Sequence, residues 1–261
     1  MVDQPYRPSQ VRRHLGPGVN SIPVGVQLMG SHESALAATA ESVLQTDASF
    51  LDLNFGCPTK GALKGCAGSA LLREPKRLES IVRTCVEACG GDLPVTAKIR
   101  AGFDDAESVE ELARAAEAGG ASLLTVHCRT RSEHYTAEVD WTRITRAVET
   151  VEIPVCGNGG VQVHADLERM RSVTGCAYVM VGHAALADPW IFSGQEITAQ
   201  AAAEFLHEYS LALESAGAGP RKRAARLKQL LKVWSAGRLI SDAADRKSWL
   251  EDYGNLAEIE V

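Results

Sequence analysis

The sequence contains no run approaching the ~18–20 consecutive apolar residues that a helical membrane span needs. Nor does it open on the charged, apolar and small-residue succession of a secretory signal. Both absences point to a cytoplasmic protein without a membrane partner. An excess of positive charge is missing too. At a net charge of −6 and a pI of about 5.7, phosphate-driven binding over the whole surface is excluded, so any contact with nucleic acid must be local. The seven cysteines, Cys57, Cys66, Cys85, Cys89, Cys128, Cys156 and Cys176, are odd in number and irregularly spaced. That excludes a disulfide framework and predicts reduced thiols. Cys85 and Cys89 stand four apart on an expected helix, but no second Cys or His pair at finger-like spacing accompanies them, so no metal is expected. A glycine-rich turn after the first strand, which a doubly wound dinucleotide-binding sheet would carry, is also lacking.

What is present is length and a repeating pattern. A chain of 261 residues, 45% hydrophobic and 23% charged, can build one large α/β domain and an appendage. Six short apolar runs, residues 24–28, 50–54, 95–99, 123–127, 154–158 and 178–182, read as strands. Between them lie Ala-, Glu- and Arg-rich stretches, among them residues 34–44, 77–89, 109–118 and 166–173, that read as helices. Each strand carries a polar residue or glycine at or next to its end: Gln27 (with Leu28 after it), Asn54, Lys98, His127, Asn158 and Gly182. Functional groups repeated at strand C-terminal ends are the mark of a (β/α) barrel, with the open doubly wound sheet as its competitor.

The strand signal stops after Trp190, and residues from Ala199 to about Tyr253 read as helices. Two domains are expected, residues 1–195 as the barrel and 196–261 as a helical unit. The latter carries Arg221, Lys222, Arg223, Arg226, Lys228, Lys232 and Arg238, interleaved with Leu227, Leu230, Leu231, Val233 and Trp234. A solvated helix face would look like this, and so would the footprint of a phosphate-bearing partner on an otherwise acidic protein.

The chemistry concentrates in Asp52-Leu53-Asn54-Phe55-Gly56-Cys57-Pro58-Thr59-Lys60 and the following Gly65-Cys66-Ala67-Gly68-Ser69-Ala70-Leu71-Leu72. Cys57 follows directly on a strand end, with Gly56 allowing the backbone to bend and Pro58 fixing the departing chain. Held over a barrel mouth, its thiol could donate a proton or act as a nucleophile; buried, it would be a small filler. Lys98 could meet phosphate or an electron-rich ring, or simply snorkel. His127 alone would more often be a packing residue, but its company with Lys98 favours a site. Gly157-Asn158-Gly159-Gly160 and Val181-Gly182-His183-Ala184 suit a phosphate held by backbone N–H groups, although each is also ordinary turn chemistry.

Taken together, Asn54-Phe55-Gly56-Cys57-Pro58, Gly68-Ser69-Ala70-Leu71-Leu72, Lys98-Ile99-Arg100, His127-Cys128-Arg129-Thr130, Gly157-Asn158-Gly159 and Val179-Met180-Val181-Gly182 resemble the tRNA-dihydrouridine synthases. Val2-Asp3-Gln4 and Arg226-Leu227-Lys228-Gln229 resemble, more weakly, the bacterial C-type branch of that family. The resemblance implies an α/β (β/α)8 TIM barrel with a small helical C-terminal domain. It implies FMN as cofactor, NADPH as electron donor, and reduction of a uridine in tRNA to 5,6-dihydrouridine. Cys57 would be the general acid, a role for a protonated thiol rather than a thiolate. Gln27, Lys98, His127, Asn158, Gly159, Gly182 and His183 would contact FMN. Asn54 and Arg129 would face the substrate nucleotide, and Arg221, Arg223, Arg226 and Lys228 would hold the RNA, from which the base is extruded. A monomer is expected.

Two features depart from the family. Its members begin with a strand and an Ala-Pro-Met-x-Gly turn against the flavin, then a second strand; neither occurs here, so the six strands are expected to be the last six of eight. A start assigned too far downstream is the expected account. His183 stands where the family has arginine and could grip a phosphate only more weakly. Three rivals follow: another FMN barrel acting on a small pyrimidine, a flavin-free tRNA-binding remnant, and a flavin-free phosphate-binding isomerase barrel.

Overall fold

The computed structural model describes residues 1–15, 22–133, 138–240 and 246–248. Helix α1, Pro8–Leu15, precedes six alternating units: β1 Gly25–Leu28, α2 Glu33–Leu44, β2 Phe50–Asn54, α3 Lys60–Lys64 and α4 Pro75–Cys89, then β3 Val95–Arg100 and α5 Val109–Ala118. The series continues with β4 Leu123–His127, α6 Thr142–Val148, β5 Val155–Asn158, α7 Ala165–Thr174 and β6 Tyr178–Met180. Local chemistry accounts for these boundaries. Helix α4 begins with Pro75 at its first turn, buries Leu78, Ile81, Val82, Cys85 and Cys89 at helical spacing, and stops at Gly90 with φ +59°. Cys85 lies so deep that burial pushes its thiol up to about 12, which makes it an inert filler. All seven cysteines are free thiols.

Every strand pairs in parallel with the next in sequence, in the order β1-β2-β3-β4-β5-β6, with β1 and β6 as the edges. A doubly wound sheet must reverse its strand order at a switch point, and this sheet never does. Successive helices accordingly pack on one another, α2 on α4, α4 on α5 and α5 on α6. The fold is therefore α/β, with the consecutive winding of a (β/α) barrel. Four strand ends differ by a residue or two from the sequence expectation. The expected strand 178–182 stops at Met180, because Met180 lies opposite Asn158, the last residue of β5, and Gly182 has no ladder partner. Gly182 is therefore the N-cap of a short helix rather than a strand end. Conversely β3 runs on to Arg100, which His127 faces.

The period of two divides each strand between faces. Leu51 and Leu53 of β2 are buried on one side, while Asp52 and Asn54 alternate to the other. Register then aligns the second face in rows: Gln27 beside Asp52 beside Thr96; Asn54 beside Lys98 beside Thr125 beside Cys156; Arg100 beside His127 beside Asn158. Layers of this kind fill a barrel interior. Here they are polar toward the strand ends.

The chain divides into two compact units, residues 1–160 with 168–180, and residues 161–167 with 181–261. The second holds α8 His183–Ala187, α9 Ala199–Ser215 and α10 Pro220–Leu231. Its core is aromatic: Phe205 stacks on Trp234 at 5.9 Å, and Trp190 meets Phe205 edge-on at 5.1 Å. Leu206, Leu227 and Leu231 complete it. Helix α10 ends at Leu231, so Val233 and Trp234 lie beyond it. Of the helical content expected toward Tyr253, residues 246–248 are helical, whereas 241–245 and 249–253 lie outside the described residues.

Candidate active site

Local hydrogen bonds hold the loop after β2. Asn54 Oδ1 accepts the backbone N–H groups of Gly56 at 2.9 Å and Cys57 at 3.0 Å, and the Cys57 carbonyl accepts the N–H of Ser69 at 3.0 Å. Gly68 permits the last contact: its φ is +56°, and a Cβ there would lie 2.9 Å from the Cys57 carbonyl. Gly56 is different, because a Cβ at that position would make only ordinary contacts, with Arg100 at 3.6 Å and Ile99 at 3.7 Å. The bend credited to Gly56 is thus made by the Asn54 side chain and Gly68. Half-buried Cys57 has its Sγ 3.4 Å from Thr59 Oγ1, which also caps α3.

Gln27, Asn54 and Cys57 line one cleft of about 540 Å³, whose other wall is the N-terminal segment with Tyr6, Val11 and His14. That segment is anchored by the Val2 N–H on the Met29 carbonyl at 2.7 Å and the Tyr6 N–H on Thr39 Oγ1 at 3.1 Å.

Across the same sheet face, Lys98 Nζ donates to Asn158 Oδ1 at 3.1 Å, while Asn158 Nδ2 donates to the Met180 carbonyl at 2.8 Å. A carbonyl only accepts, so the Asn158 amide is fixed with its oxygen toward the lysine. Burial, with the Arg100 charge nearby, pushes Lys98 down to about 8, and the Asp52 carboxylate opposes the shift. His127 is pushed down to about 3, first by burial and then by Lys98, Arg100 and Arg129. Its Nδ1 accepts the Arg129 N–H at 3.1 Å. It is therefore a neutral imidazole carrying its proton on Nε2 at physiological pH. Gly159 packs against this ring: φ is +109°, and a Cβ would lie 2.8 Å from Cys128 Sγ and 3.1 Å from His127 Cε1. Its carbonyl accepts the Trp141 indole N–H at 2.9 Å.

Two residues missing from the sequence-derived site prove central. Arg100, 5% exposed, donates from Nε to the Gly56 carbonyl at 2.8 Å and from Nη1 to the Thr130 carbonyl at 2.9 Å, tying the Cys57 loop to the turn after β4. Asp52 accepts from both Gln27 and Thr96 at 2.7 Å. The signal for each was its parity with Asn54 or Lys98 on the strand. Arg129, two residues after the end of β4, is buried too. Gly182 and His183 belong to the second unit, at the start of α8. So do the RNA-binding candidates. Arg221 and Arg226 are exposed on α10, Lys228 is half-buried, and Arg223 pairs with Glu214 of α9 at 3.1 Å. Among the described residues, no group of three His, Cys, Asp or Glu could hold a metal ion, and no helix is long and apolar enough to cross a membrane.

Comparison with known proteins places this geometry in a family. The family described as dihydrouridine synthase (Dus) matches residues 3–249. The tRNA-dihydrouridine(16) synthase of Pseudomonas putida is 38% identical over 168 residues, 64% of this chain and 52% of that protein. Its namesake from Cupriavidus necator is 40% identical over 169 residues, 65% of this chain and 52% of that protein. For the namesake from Haemophilus influenzae the figures are 36% over 185 residues, 70% and 60%. The chain thus spans about half the length of the curated relatives it matches. With the family match running over nearly its whole length, the chain belongs to the dihydrouridine synthase family.

Proposed function

We propose that this protein reduces a uridine of tRNA to 5,6-dihydrouridine, with FMN as cofactor, NADPH as electron donor and Cys57 as the general acid. The observation that carries the reading is the cleft that gathers Gln27, Asn54 and Cys57 on the sheet face bearing Lys98, His127 and Asn158. The donor set fits an isoalloxazine ring. Lys98 is a half-buried ammonium with one of its three donors committed, to Asn158, and His127 is a neutral imidazole beside it. Gln27 adds an amide at the cleft, and Gly159 lets the backbone close beneath the histidine ring. FMN, when bound and reduced by NADPH, supplies the hydride for carbon 6 of the uracil ring.

The chain's own residues do the rest. Cys57 Sγ holds the proton that goes to carbon 5, so that hydride and proton together saturate the ring double bond. Asn54 fixes the loop that presents this thiol, and Arg100 ties that loop to the turn carrying Arg129, which is assigned to the substrate nucleotide. Residues 196–261 are assigned to the tRNA, with Arg221, Arg226 and Lys228 of α10 meeting phosphates and Arg223 bound to Glu214. A base inside folded RNA must leave its stack to reach such a cleft. Uridine 16, which the names of the relatives specify, is the first position to assay.

The test supplies the chain with FMN, NADPH and unmodified tRNA, and quantifies dihydrouridine by nucleoside mass spectrometry. Cys57→Ala is expected to lower its formation by about 100-fold or more while flavin reduction by NADPH continues. Full activity in that variant would remove Cys57 from the acid role. Absence of FMN uptake in the visible spectrum would remove the redox reading and leave an RNA-binding one.

A further inference from the structure

Gln27, Asp52 and Thr96 share one row across the sheet, and hydrogen bonds join them into a chain that runs on to the Cys57 loop. Asp52 Oδ1 accepts from Thr96 Oγ1 and Oδ2 from Gln27 Nε2, both at 2.7 Å. Gln27 Oε1 accepts from Asn54 Nδ2 at 2.9 Å. Asn54 Oδ1 then accepts the N–H groups of Gly56 and Cys57. From the Cys57 loop back to Asp52 every link has the same sense. The chain ends in groups that cannot reverse, a carboxylate that only accepts and two backbone N–H groups that only donate. The amides between them could face either way, and Gln27 is exposed in the cleft, where water competes for both its ends. Reversal would turn the Asn54 NH2 against two N–H donors and release the loop.

We infer that Asp52 is a positioning residue which, through Gln27 and Asn54, orients the loop presenting Cys57. Its importance for catalysis rests on the reading of Cys57 as the acid; the holding of the loop does not. The same carboxylate is an anion opposing the loss of charge at Lys98, so one group serves both the thiol loop and the half-buried ammonium.

The experiment is amide hydrogen exchange, read by NMR at Gly56 and Cys57 in the full chain without added cofactor. Asp52→Asn is expected to speed exchange at both amides by about fivefold, the factor a net hydrogen bond of ordinary strength carries, while the Leu51 and Leu53 amides of β2 stay unchanged. Gln27→Leu cuts the chain one link further on and is expected to give the same pattern, so the question stays answerable if the first variant folds poorly. The double variant Asp52→Asn with Gln27→Glu rebuilds the chain: the new amide donates to the new carboxylate, which accepts from Asn54. It is expected to restore protection, which a merely packing role for Asp52 would not produce. Unchanged exchange in both single variants, or a double variant no better protected than Asp52→Asn, overturns the inference. The dihydrouridine assay of Cys57→Ala fails or succeeds independently, because exchange reads only the loop.

Discussion

Arg100 and Arg226 carry the same side chain to opposite ends. Arg100, at the end of β3, is 5% exposed and spends two donors on the carbonyls of Gly56 and Thr130. Arg226, on α10, lies in water and reaches only Gln229, three residues along its own helix. The first guanidinium fixes backbone geometry; the second contributes charge to a surface. Buried charge is thus specific and individually costly to lose, whereas exposed charge acts collectively and is screened by salt.

The largest effect expected from this contrast is on stability. Arg100→Ala leaves the buried Thr130 carbonyl and the half-buried Gly56 carbonyl without their charged donor, at a cost of about 1–3 kcal/mol for the buried group and less for the other. Arg226→Ala should stay within about 0.5 kcal/mol. Urea denaturation midpoints of the two variants measure this, and equal losses would break the contrast.

The pH dependence comes next. His127 is held near 3 in the fold against an ordinary 6.5, so between these values the unfolded chain binds the extra proton. Stability from this group is present above pH 6.5 and is lost as pH falls toward 3, at a slope of up to about 1.4 kcal/mol per pH unit. Lys98, lowered from 10.5 to about 8, adds stability as pH rises between those two values by the same rule. His127→Gln should flatten the acid limb of a midpoint-against-pH curve, whereas substitutions among the exposed α10 cations should leave it unchanged. An acid limb unaltered in His127→Gln would show that its burial does not govern that window.

Replacing Arg221, Arg226 and Lys228 together by alanine should leave the denaturation midpoint nearly unmoved. On the proposed function it should lower tRNA affinity by about tenfold and reduce the slope of log affinity against log salt by about 0.7–0.9 for each phosphate that is no longer neutralised. Filter binding at several salt concentrations reads both quantities. A large stability loss with an unchanged slope would place these residues in the structural class with Arg100.

The same two regions explain what could be read without coordinates. The strands were legible because each is a short, largely apolar run, four of them closing on a polar residue, and β2 and β4 begin and end where the pattern puts them. Helix α1 escaped, since one buried residue, Val11, gives too little periodicity to recognise. So did α3, which is five residues long and depends on its Thr59 cap. The end of β6 was misplaced because it is set by the partner strand rather than by its own residues. Within the site, Cys57, Lys98 and His127 stood out by position, but Asp52 and Arg100 did not. Their roles depend on which neighbours register brings alongside, and register is a property of two strands at once. The cleft wall formed by the N-terminal segment is equally a matter of tertiary contact.

Arg223 offers the smallest but sharpest test, because it lies between the two classes. It belongs to the basic cluster of α10 in sequence, yet its side chain is 18% exposed and bridges to Glu214 of α9 at 3.1 Å, with the carboxylate 56% exposed. A pair so open on one side should contribute about 0.2–1 kcal/mol, declining as salt is raised. Glu214→Gln is expected to lower the denaturation midpoint by that small amount at low salt and by less at high salt. It also releases the arginine, so tRNA affinity should hold or rise slightly. Arg223→Ala should reduce the salt slope of tRNA binding less than Arg221→Ala does, since a guanidinium already paired with a carboxylate has less charge to offer a phosphate. Equal slopes for the two would mean that the ion pair opens on binding, and burial would then no longer separate the arginines of this protein into two kinds.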